Sequence, residues 1–165
     1  MPVIDNDQPQ VAHYVSTLPY IPILGRVAAG VWIEIGVTED EMSEHPASKF
    51  PPDPRYPLAA QFDLIVEGTS INKFAGPGEI LRCVDVVTAG VEIRENDLVI
   101  VTRTRATDER ETTAKRVRRF NGHFELWPES SDPRWQTPIV VHPGGADQHD
   151  SVAITAIVLY AYKTP

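Results

Sequence analysis

The stretch ETTAKRVRRFNGHFELWP, Glu111 to Pro128, decides how the chain is read. Two runs rich in strand-forming residues flank Asn121-Gly122, the pair best suited to the positive φ angles of a two-residue hairpin turn. The reading is therefore two antiparallel strands, 111–120 and 123–128. Alternation along the first places Thr113, Lys115, Val117 and Arg119 on one face, and Ala114, Arg116 and Arg118 on the other.

Outward from this hairpin the same signals recur. Downstream, strands are expected at 137–141 (TPIVV) and 151–163, where Val152, Ile154, Ala156, Val158 and Tyr160 repeat at a period of two. Upstream, DLVIVTR (97–103) follows the turn-like pair Glu95-Asn96, EILRCVDVV (79–87) follows the turn AGPG, and FDLIVE (62–67) runs up to Gly68. A first strand is expected at 20–27, anchored by Ile21, Ile23 and Val27. Residues 36–58 read as loop, first acidic and then Pro-rich (FPPDPRYP), with a short helix predicted over 38–45. The sequence shows no repeat at a fixed period and no long amphipathic helix. A mostly β fold is expected, of coiled, barrel-like sheets with little helix.

At 165 residues the chain has room for one domain with a real core. Residues 1–19 are expected to form a polar, acidic arm, and 20–165 the folded unit. A net charge of −8 argues against this chain alone gripping a DNA backbone. One cysteine, Cys83, rules out an internal disulfide and suits a reducing cytoplasm, the expected location. The first basic residue is Arg26 and no run reaches membrane-spanning length, so neither a secretory signal nor a membrane anchor is expected.

Three stretches bear on chemistry. In IVEGTSINKFAGPG (65–78), Ser70 stands just beyond a strand, where a hydroxyl can be exposed beside backbone N–H groups. Taken alone, such a serine is a turn former or a helix cap. It is not the G-x-S-x-G elbow of α/β-hydrolases, since Asn72 holds the last position and no βαβ pattern surrounds it. Lys115 lies on a face less charged than its neighbours suggest. Desolvation there would lower its pKa and make it a general base, whereas the plain reading is one more charge on a solvated hairpin. In RVAAGVW (26–32), Ala28, Ala29 and Gly30 form a small, pliable spot: a loop, a bulge or a place of close approach.

Other features carry less. His142, Asp147, His149 and Asp150 sit in a Pro-Gly-Gly loop, and no metal or cofactor is expected there. Cys83 reads as a buried, inert thiol. KRVRR (115–119) alternates faces and reads as a solvated hairpin, not a nucleic-acid patch. Trp127 and Trp135 read as packing residues.

In order, RVAAG, V-x-G-x-S, DLVIV, T-x-KRV and N-G-x-x-E-L-x-P-E-S resemble the LexA-type autoproteolytic repressors. That serine-peptidase family (S24) includes the UmuD-type mutagenesis proteins and the C-terminal halves of many phage repressors. The resemblance spans roughly 20–162. It implies the LexA-like C-terminal peptidase fold and a Ser-Lys dyad that cuts its own chain. Ser70 matches the nucleophile, Lys115 the base, and Ala29-Gly30 the scissile bond, with Val27 and Trp32 helping to seat the cleavage segment. Backbone N–H groups around Gly68, Thr69 and Ser70 are expected to hold the oxyanion.

The resemblance also implies a homodimer, a RecA-type filament as co-activator in an SOS-like response, and DNA contact only through an N-terminal helix-turn-helix domain. The first nineteen residues are not expected to form one, which suggests an excised repressor domain or a short-armed UmuD-like protein. Two departures stand out. Ile71 replaces the usual methionine after the serine. The acidic turn that usually follows soon after the serine comes late, so residues 73–94 read as an insertion expected to add a strand pair. A catalytically silent dimerisation module is the alternative reading. A signal-peptidase-like enzyme ranks third, since it should carry a membrane anchor.

Overall fold

The computed structural model describes residues 20–34, 46–143, 145–146 and 151–164. The expected arm at 1–19, the short helix at 38–45, and Asp147, His149 and Asp150 lie outside the described residues. Ten strands join in one mixed sheet: β1 (Ile23–Val27), β2 (Ile33–Glu34), β3 (Gln61–Val66), β4 (Ile80–Asp85), β5 (Leu98–Thr104), β6 (Glu109–Phe120), β7 (His123–Trp127), β8 (Ile139–His142), β9 (Gly145–Ala146) and β10 (Ser151–Tyr162). The order is β1-β3-β4-β10-β5-β6-β7-β8-β9, with β2 added on β6. Only β1 and β3 run parallel. Among the described residues helix is confined to one turn, α1 (Val86–Ala89), and a 3-10 turn at Leu58–Ala60.

The fold is mostly β, as expected, but the barrel-like sheets are corrected. There is one sheet, and it is not closed: β1 and β9, the ends of its path, do not pair among the described residues. The reason lies in β5. Leu98 and Ile100 pack into one core with Leu64, Val66, Ile71, Leu81, Cys83 and Ala114, while Val99 and Val101 pack into a second with Val117 and Leu126. A strand buried on both faces has no polar outer side to present, so LVIV is continuously apolar and the sheet does not wrap a single interior.

The long strands β6 and β10 each serve two neighbours. β10 pairs β5 through Ser151–Ile157 and β4 through Ala156–Tyr162, with register breaks at Ile154/Ala156 and Val158/Tyr160. The expected strand pair within 73–94 is also corrected. That segment supplies one central strand, β4, followed by α1, which Asp85 caps by accepting from the Thr88 N–H and Gly90 ends in a left-handed conformation. Cys83 on β4 is fully buried, and burial pushes its thiol well above the ordinary range, as befits an inert packing residue.

Beside Cys83, Arg82 is fully buried and every arm of its guanidinium is engaged. Nε donates to Asp63 Oδ1 at 2.6 Å, Nη1 to the Pro51 carbonyl at 2.8 Å, and Nη2 to the Phe50 carbonyl at 2.8 Å. Asp63, also fully buried, accepts the Tyr162 hydroxyl as well. This cluster fastens the Pro-rich segment 48–56 across the sheet.

Candidate active site

Parallel pairing of β1 and β3 is what assembles the site. Two parallel strands end side by side, so the segment leaving β1 at Val27 emerges beside the segment leaving β3 at Val66. The Glu67 N–H donates to the Val27 carbonyl at 2.9 Å, and the Arg26 and Glu67 side chains pair across the junction. The first segment carries Ala29-Gly30 and the second carries Ser70.

Ala28 to Val31 form a β-turn, closed by the Val31 N–H on the Ala28 carbonyl at 3.4 Å. Gly30 holds φ at +77°, a conformation natural to glycine, so the Ala29-Gly30 bond lies at the turn's centre. The turn docks on β6. The Ala28 N–H donates to the Thr112 carbonyl at 3.0 Å, and the Gly30 N–H to Glu111 Oε2 at 2.6 Å. Beyond it, β2 pairs with Arg110 and Glu109, and the Trp32 ring lies against Arg105 (3.5 Å to the centroid) and Arg103 (5.3 Å).

One edge of β6 is thus covered at 109–112 by the segment 28–34 and at 116–120 by β7. Between them, among the described residues, Thr113 to Lys115 have no strand on that edge. Lys115 stands in this gap, only 6% exposed, on the face shared with Glu111, Thr113 and Val117. Among the described residues its ammonium makes no hydrogen bond. Burial pushes it down from 10.5 to about 8; Glu111 opposes the shift and Arg103 adds to it. The Thr113 hydroxyl, on the same face, is buried without a partner.

The turn bearing Ser70 rests against the other border of the gap. The Glu129 N–H, just past β7, donates to the Ser70 carbonyl at 3.1 Å, and the Lys73 N–H to the Glu129 carbonyl at 2.9 Å. Arg116, the neighbour of Lys115, donates from Nε to Glu129 Oε1 at 2.8 Å. Ile71 is buried in the first core and anchors the turn from below. Ser70 is only 5% exposed. As a helix cap its hydroxyl would accept from the Asn72 or Lys73 N–H, but those donate to the Thr69 and Glu129 carbonyls. Ser130, by contrast, is engaged structurally: Oγ donates to the Thr69 carbonyl and accepts from the Asp132 N–H. Among the described residues the Ser70 hydroxyl has no such duty, and the amides of Gly68, Thr69 and Ser70 donate to no backbone carbonyl or side chain.

The site therefore draws together three segments distant in the chain: 27–32, 67–73 and 109–116. Two residues beside it, Glu111 and Trp135, were not read from the sequence as site residues, Trp135 being read as a packing residue. Glu111 had a signal, since it lies four positions before Lys115 on the same strand face. Trp135, whose ring tip would lie 2.9 Å from a Cβ built on Gly30, had none, because that place depends on a loop fold. Of the residues weighed as metal ligands only His142 is described, and the described residues contain no cluster able to hold a metal ion. No helix among them is long and apolar enough to cross a membrane. Neither a family model nor a characterised protein matches the sequence.

Proposed function

We propose that the chain is a self-cleaving serine peptidase domain of LexA type, with Ser70 as nucleophile, Lys115 as base and its own Ala29-Gly30 bond as substrate. The observation that carries this reading is the Ala28–Val31 turn. It is held between the end of β3, three residues before Ser70, and β6, three residues before Lys115.

In this mechanism neutral Lys115 Nζ takes the proton from Ser70 Oγ as the oxygen bonds to the Ala29 carbonyl carbon. The carbonyl oxygen becomes an oxyanion, for which the Gly68, Thr69 and Ser70 amides are the available donors. The Ala29–Gly30 C–N bond then breaks as Lys115 returns the proton to the Gly30 nitrogen. Glu111, already accepting from that nitrogen, favours the ammonium form of the departing terminus. Water next adds to the Ala29 ester, giving a proton to Lys115. Collapse frees the Ala29 carboxylate, and Lys115 reprotonates Ser70. No histidine is needed, because burial lowers the lysine to about 8 and so makes its neutral form available at mildly alkaline pH.

The dimerisation reading has one observation in its favour. An apolar groove of about 530 Å³, lined by Ile93, Val117, Phe120, Phe124, Val141 and Ile154, lies on the face of the second core, and Phe120 is half exposed beside it. Dimers in sedimentation without cleavage at any pH favour that reading alone. Dimers that also cleave favour a repressor-type domain with both properties.

Intact-mass measurement of the chain during alkaline incubation tests the proposal. Fragments 1–29 and 30–165 are expected. Below about pH 8 their rate of appearance should rise about tenfold per pH unit, then level as Lys115 becomes neutral. Ser70→Ala and Lys115→Ala should abolish them. An intact wild-type chain, or cleavage that persists in Ser70→Ala, overturns it.

A further inference from the structure

Gly30 is confined twice. Its φ of +77° disfavours any side chain, and a Cβ built on it would lie 2.9 Å from Trp135 Cη2, closer than real Cβ atoms come to a neighbour. The indole therefore closes directly over the residue that follows the candidate scissile bond. The loop that carries the ring is held by its own hydrogen bonds. The Trp135 N–H donates to the Asp132 carbonyl at 3.0 Å, and Gln136 Nε2 bonds both the Ser130 and Asp132 carbonyls at 2.8 and 2.9 Å. Arg134, fixed by Asp132, lies 5.7 Å from the ring centroid.

The same loop grips the turn that carries Ser70. Thr69 Oγ1 donates to Asp132 Oδ2 at 2.7 Å, Ser130 Oγ donates to the Thr69 carbonyl at 2.6 Å, and Asn72 and Ser131 exchange two hydrogen bonds at 2.9 Å. One hydrogen-bonded loop thus holds the turn of Ser70 from one side and meets the turn of Gly30 from the other.

We propose that Trp135 is a specificity-determining and positioning residue: it gauges the position after the scissile bond and admits only glycine there, seating the cleavage turn in register with Ser70. The inference rests on the self-cleavage reading and deepens it. It predicts that the domain discriminates against any side chain at position 30 by sterics as well as by backbone strain. Strain is common to all backgrounds, whereas the steric part should vanish with the indole. Asn is the most useful probe at position 30, since among side-chain-bearing residues it tolerates positive φ well.

The test is a double-mutant cycle on self-cleavage, read by intact mass at alkaline pH. Gly30→Asn should slow cleavage at least about a hundredfold, and adding Trp135→Ala should restore at least about tenfold of that loss, although Trp135→Ala alone slows the wild-type turn. Wild-type cleavage without rescue in the double variant overturns the gauge and leaves the self-cleavage reading standing. A second readout needs no activity. In the uncleavable Ser70→Ala chain, NMR should show a cross-relaxation contact between the Gly30 α-protons and the Trp135 ring. Its absence overturns the gauge. Its presence in a protein whose wild-type form never cleaves overturns the self-cleavage reading instead.

Discussion

Arg82 and Lys115 are both buried in this sheet, and they are buried in opposite ways. Arg82 sits at the centre with no exposure, its guanidinium shared among a carboxylate, carbonyls and hydroxyls. Lys115 sits in a gap beside β6, 6% exposed, without a hydrogen bond to its ammonium among the described residues. A buried charge whose donors are all met is part of the architecture, and the protein can afford it because removing it would strand Asp63. A largely buried amine with no carboxylate or carbonyl hydrogen-bonded to it destabilises the fold while charged, and is useful only where its neutral form has work to do. The difference sets Arg82 apart as structural and makes Lys115 the candidate for chemistry, although sequence composition treats them alike.

The largest expected effect breaks the comparison on the structural side. Arg82→Met should cost about 3–5 kcal/mol in denaturant unfolding, because it leaves the Asp63 carboxylate buried without its cation. A loss below about 1 kcal/mol would mean that the cluster at 48–63 contributes little to the fold.

Next in size, and opposite in sign, Lys115→Met should stabilise the chain by about 1–3 kcal/mol at pH 7. The pH dependence follows from the lowered pKa. Below about 8 the lysine is protonated in both folded and unfolded chains, and burial penalises the folded one in full. Between about 8 and 10.5 the folded chain sheds the proton first, so wild-type stability rises relative to the variant; above 10.5 the penalty is gone. Thermal unfolding of both proteins from pH 6 to 10 reads this out, and a variant less stable at pH 7 would place Lys115 with Arg82.

The smallest effect concerns a cation on the substrate side. Arg105→Ala removes the guanidinium over Trp32 and should slow self-cleavage by about two- to fivefold through a looser cleavage segment, with global stability nearly unchanged. An unchanged rate would show that β2 and Glu111 alone hold the segment.

Much of the sheet was legible because local chemistry dictated it. Asn121-Gly122 fixed the β6–β7 hairpin, and the period-two run after Ser151 fixed β10. Where local signals competed, the reading slipped. Val86 and Val87 favour a strand, yet Asp85 and Gly90 cap a helical turn, and caps outweigh the propensity of two residues at a solvent edge, with Val87 87% exposed. The parallel β1–β3 pairing carries no local mark, since it joins segments some forty residues apart. Ser70, Lys115 and Ala29-Gly30 were readable as a pattern of short motifs. The pinning of Gly30 by Glu111 and its covering by Trp135 were not, because each arises from side chains that only the folded sheet brings together.

If Lys115 serves as the base, burial must hold its pKa well below that of a free lysine, and its own titration reads this. In the Ser70→Ala chain, which stays uncut, NMR of 13C-labelled lysine ε-carbons from pH 6 to 11 separates Lys115 from the exposed lysines. A Lys115 midpoint of about 8 is expected. A midpoint at the ordinary lysine value of 10.5 would contradict it.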